Sequence, residues 1–288
     1  MFRLAIRSCR GTARSEHEEV FVRKGYADTE VGQVHYREDG GGEPVMLFHH
    51  TASSSVTFSR VLPILGKRFR TIAVDSPGFG ASDGPSEIPG GMDYYARAML
   101  GVMDSLALDR AHVIGVRTGA SIALELAANH PERVDKLALC TALFIETDDD
   151  RRYWQEEFSA PKMWEADGRG DFLDDHVLEW VSYFVREDDP EQYLRELIAA
   201  LQAGPNYWFA YRSVVAHDAY ALLPKIRAPL LFVNVPEDNQ YDLTKRAHEA
   251  TARSEYVELP SVNPDKPGWV GFPTQYPEEL AAALLDFL

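Results

Sequence analysis

The chain has 288 residues, 45% of them hydrophobic, which is enough for one large core with or without an insertion. Its 29 basic and 45 acidic residues leave a formal charge of −16, which repels phosphate backbones and anionic bilayers and argues against a nucleic-acid or membrane partner. No stretch reaches the roughly 18 consecutive apolar residues of a membrane span, and two cysteines, Cys9 and Cys140, support neither a disulfide framework nor a thiolate metal site, which fits a reducing, cytoplasmic setting.

Residues 1–20 carry Arg3, Arg7, Arg10 and Arg14 but no apolar core of a secretory signal, and read as an N-terminal tail. Residues 21–23 and 33–37 read as two half-exposed strands with Gly32 between them. The continuously apolar run 44–48 predicts a strand buried on both faces of a parallel sheet, ending at His49-His50-Thr51. A helix over 58–69, a strand over 71–74, a Gly- and Pro-punctuated loop over 75–83 and a helix over 92–106 follow.

Next comes Val113-Ile114-Gly115-Val116-Arg117-Thr118-Gly119, an apolar strand that turns into the helical run 120–128 before Pro131 stops it. The spacing Gly-x-Arg-x-Gly has the form of a nucleophile elbow, in which two glycines let the backbone turn sharply and push the middle side chain outward. A strand over 137–140 leads to an aromatic-rich helical stretch, and the alternation resumes with a strand at 229–233, a helix at 242–251, a strand at 256–259 and a helix at 277–288. The expected fold is α/β, a doubly wound, mostly parallel sheet: core 21–145 and 224–288, with a helical cap inserted at 146–223. Such sheets bind ligands at the carboxyl ends of their strands, which gathers His49, His50, Asp75, Arg117, Glu146 and Asp238 at one edge.

These motifs, in this order, resemble the helical-cap branch of the α/β-hydrolase superfamily from about residue 21 to the end. The resemblance implies an elbow nucleophile, an acid and a histidine. Two of the three are missing: Arg117 cannot attack a carbonyl, and the loop 259–269 after the last strand contains no histidine. Asp238 stands as the surviving acid, and His50 occupies a place where the family usually has glycine. Neither Ser121 nor Ser53, Ser54 and Ser55 falls in the turn that presents a nucleophile, so an ordinary serine-hydrolase mechanism is not expected.

Arg117 has two readings, a cation that holds a substrate anion and one half of a buried ion pair with Asp238. His50 is either a general acid–base or a loop-packing residue, and His49 fixes the loop. The amides of Thr118 and of the His50–Thr51 loop are the oxyanion candidates, and His217 is a candidate pocket residue. No spacing suggests a metal site, and no cofactor is called for. A small-molecule ligand is the expected partner, with a homodimer allowed. Two functions stay open: an enzyme using non-covalent acid–base chemistry, of hydrolase or lyase type, and an inactive member that binds a small molecule as sensor or carrier.

Overall fold

Alternation in strands and a 3.6-residue period in helices sort the apolar side chains into two layers with a sheet between them. The computed structural model describes residues 22–158, 177–182, 189–261 and 272–288. Eight strands among them form one sheet: β1 (Arg23–Thr29), β2 (Gly32–Asp39), β3 (Pro44–Phe48), β4 (Arg70–Val74), β5 (Ala111–Val116), β6 (Val134–Cys140), β7 (Leu230–Asn234) and β8 (Ser254–Glu258). Their spatial order is β1-β2-β4-β3-β5-β6-β7-β8. The pairs β1–β2 and β2–β4 are antiparallel and every later pair is parallel.

In β3, Val45 and Leu47 face one layer while Met46 and Phe48 face the other. The first layer packs on α1 (Val61–Leu65) and α10 (Pro277–Phe287). The second packs on α2 (Met92–Ser105), α3 (Thr118–Asn129) and α9 (Tyr241–Glu249). Between β6 and β7 the chain forms α4 (Asp148–Phe158), α5 (Leu178–Ser182), α6 (Pro190–Ala203), α7 (Trp208–Ala216) and α8 (Ala219–Leu222). Of the aromatics expected there, Trp154, Tyr207 and Phe209 are buried, while Trp164, Tyr183 and Phe184 lie outside the described residues.

Two elements differ from the reading of the sequence. The first strand begins where the expected one ends, because Lys24, Gly25 and Asp28 look like loop residues yet pair with β2. Gly25 lies opposite Tyr36, whose ring fills the space a Cβ would need. The helix expected over 58–69 becomes a 3-10 turn at Ser55–Phe58 and the five-residue α1. Pro63, within α1, lacks an N–H for the ladder, and Gly66 closes the segment, where a Cβ would lie 2.7 Å from Asp39 Oδ2.

Candidate active site

β5 delivers Arg117 to the carboxyl edge of the sheet and α3 carries the chain away. Arg117 has φ 52° and ψ −111°, a left-handed conformation that costs an L-residue free energy and persists only where its surroundings enforce it. The two glycines permit this. A Cβ on Gly115 would lie 2.2 Å from the Gly119 carbonyl oxygen, and one on Gly119 would lie 2.1 Å from that of Phe48. The Arg117 N–H donates to Cys140 O at 3.0 Å, tying the turn to β6.

Arg117 is 5% exposed. Its Nη2 makes a close ion pair with Asp238 Oδ2, and its Nη1 donates to Asn239 Oδ1 at 3.3 Å. Asp238 sits four residues beyond β7, where its N–H donates to Val235 O at 3.0 Å and its Oδ1 accepts from Gln240 N at 2.8 Å. Burial raises the Asp238 carboxyl above its ordinary range, and the Arg117 guanidinium and the Gln240 N–H oppose that rise.

After β3, His49 Nδ1 lies 2.7 Å from His50 O and its Nε2 accepts from Ser76 N at 2.9 Å. A carbonyl takes a proton and an amide gives one, so the tautomer carries its hydrogen on Nδ1. Burial lowers the pKa of His49, keeping it neutral while it staples the β3 loop to the β4 loop. His50 is buried as well. Burial, then the charge of Arg117, then His49 push it well below its ordinary value, so its imidazole is neutral at pH 7. Thr51 Oγ1 donates to Thr118 Oγ1 at 2.9 Å, closing the β3 loop onto the start of α3.

The expected residues Arg117, Asp238, His50, His49, Thr51 and Thr118 are thus brought together. His217 is placed elsewhere: its Nε2 lies 2.8 Å from Glu125 Oε2 on α3, a buried pair that lowers the Glu125 carboxyl. Asp75 is bonded to His35 Nδ1 at 2.8 Å and to the amides of Ser55 and Ala81, which hold it down at about 2. Glu146 faces Arg246 at 3.5 Å, half exposed. Two contributors were not singled out from the sequence. Asn239 follows Asp238 directly, and Tyr211, read only as one of many aromatics, reaches from α7 to donate its OH to Thr51 O at 2.9 Å. Among the described residues no group of three metal-ligating side chains converges.

The profile of the family described as alpha/beta hydrolase fold matches residues 43–167, from the start of β3 through the elbow and α3. A hydrolase from Pseudomonas aeruginosa PA01 superposes with a TM-score of 0.77 at 20% identity, covering 92% of this chain and 97% of that one. The chain has the α/β-hydrolase fold. The 2-hydroxymuconate semialdehyde hydrolase of Pseudomonas sp. strain CF600 is 34% identical over 110 residues, 37% of this chain and 39% of its own length. The 2-hydroxy-6-oxo-2,4-heptadienoate hydrolase of Pseudomonas putida F1 is 31% identical over 137 residues, 46% of this chain and 50% of its own. The matched segments thus span two fifths to half of these curated relatives. In this fold the elbow residue is Arg117, and the last histidine in the sequence is His248, on α9 before β8.

Proposed function

We propose that this α/β-hydrolase-fold chain is an enzyme acting on a small, partly hydrophobic organic acid by non-covalent acid–base chemistry. The observation that carries the reading is a guanidinium mounted on a strained elbow beside a neutral imidazole, in a setting with little water. Charge-assisted bonds gain strength where water is excluded, so Arg117 suits a ligand carboxylate better than any surface cation. The relatives named for muconate and heptadienoate derivatives act on compounds of that general kind by name.

In this reading Arg117 orients the carboxylate while Asp238 and Asn239 hold the guanidinium in place. His50, neutral at pH 7, accepts the proton from water or from a carbon next to a carbonyl. The amide of Thr118, at the first position of α3, has no acceptor within the helix and faces the developing oxyanion, with Thr51 and Tyr211 fixing the opposite loop. A covalent acyl-enzyme has no place in the scheme, because an arginine cannot attack.

A second reading is favoured by the Arg117–Asp238 contact itself: with both charges already matched, the protein would bind a small acid as sensor or carrier without turning it over. The deciding experiment is turnover of p-nitrophenyl esters and of unsaturated keto acids, followed with and without Arg117→Lys. We expect turnover without a burst, sensitive to Arg117→Lys. A burst abolished by replacing a serine defeats the non-covalent mechanism, and tight binding of the acids with no turnover selects the carrier.

A further inference from the structure

A second cleft, of about 490 Å³, opens between β2, the 3-10 turn Ser55–Phe58, α1 and α6. Its walls are Arg37, Arg195, Ser55 and Ser59 on the polar side and Val22, Val56, Leu62 and Pro63 on the apolar side. None of the elbow groups lines it. The volume falls within the range that small organic ligands occupy, roughly 300–1,000 Å³.

The polar side is built for negative charge. Burial pushes the Arg37 guanidinium down, the Asp75 carboxylate raises it, and the neighbouring charge of Arg195 lowers it again. Asp75 does not bond Arg37, since its oxygens are taken by His35 and the amides of Ser55 and Ala81. Arg195 pairs with Glu191 one turn earlier on the exposed face of α6. Two guanidiniums facing one space repel each other, and an anion between them removes the repulsion.

A second observation is independent of these charges. The Nε of Arg37, on the wall of the cleft, is buried and has no hydrogen-bond partner among the described residues. A buried donor left without an acceptor costs free energy, and a ligand oxygen at the Arg37 guanidinium offsets it.

We propose that this cleft binds a small organic carboxylate, its charged end between Arg37 and Arg195, and its apolar body against Val22, Val56, Leu62 and Pro63. Planar carboxylates match the guanidinium fork, and the apolar wall favours a short hydrocarbon chain over inorganic phosphate. Because Arg195 belongs to α6 and the other groups to the core, the bound acid would also tie that helix down.

The test is calorimetric titration of the full chain with hexanoate, and with 1-hexanol as its neutral counterpart. The expected result is a saturable hexanoate site that hexanol does not occupy and that Arg37→Gln or Arg195→Gln weakens at least tenfold. Arg195 is partly exposed, so Arg195→Gln alone decides the matter if Arg37→Gln fails to fold. Absence of saturable binding, equal binding of hexanol, or affinity unchanged in both variants overturns the proposal. Loss of hexanoate binding in Arg117→Lys with full retention in Arg195→Gln also overturns it, by placing the acid at the elbow instead.

Discussion

At the residue scale the substitution that defines this chain is Arg117 paired with Asp238. Two charges buried together stabilise little in net terms, but either one left alone is costly. Arg117→Met should therefore destabilise the fold by about 3–5 kcal/mol, because Asp238 would keep a buried charge with no cation beside it. The double variant Arg117→Met with Asp238→Leu should recover most of that loss. Urea unfolding of the four proteins in the cycle measures it, and equal loss in the single and double variants would show that the pair is not the source. Arg117 and Asp238 were legible as site residues because Arg117 follows an apolar strand run directly and Asp238 lies in the loop just after one. Their contact spans 121 positions, and whether the two meet depends on a sheet order that no local pattern encodes.

At the scale of elements, α6 couples stability to pH. Asp189 caps it, its carboxylate accepting from Gln192 N at 3.2 Å and pairing with Arg60. One turn on, Glu196 is 2% exposed, takes a hydrogen bond from Ser53 Oγ at 2.6 Å and another from Gln192 Nε2 at 3.0 Å. Burial raises its carboxyl to about 7. Below the ordinary pKa of 4.5 the group is protonated both folded and unfolded, and the burial has no pH-dependent cost. As pH rises from there to about 7 the unfolded chain releases its proton first, so stability falls, and above 7 the deficit is constant. Glu196→Gln should match the wild type near pH 4.5 and exceed it at pH 8 by on the order of 3 kcal/mol, read from melting temperatures across that range. A gain that does not vary with pH would refute this account of Glu196. The sequence showed that helices are inserted here, but not which face turns inward. A glutamate among Arg195, Leu197 and Ile198 reads as a solvated position until the Ser53 loop is packed against it.

At the scale of the whole molecule, the parallel core was readable because strands buried on both faces are almost continuously apolar, as in β3, β5 and β7. The antiparallel edge was less so: β1 is mostly exposed and held by pairing with β2, and a strand made by its neighbour leaves little mark on its own composition. One further consequence lies in the position of Cys140, which ends β6 and pairs with Val116 of β5 on one side and Val233 of β7 on the other. It is fully buried, and burial pushes its thiol up, so it is inert while the sheet is closed. The strand between the one that carries Arg117 and the one that leads to Asp238 therefore holds a chemical clock. In a Cys9→Ser background, a disulfide reagent should modify Cys140 no faster than the chain opens, with a urea dependence equal to that of global unfolding. Faster labelling would mean that β5 and β7 part before the rest of the sheet, and the elbow would then be the first piece of this protein to come undone.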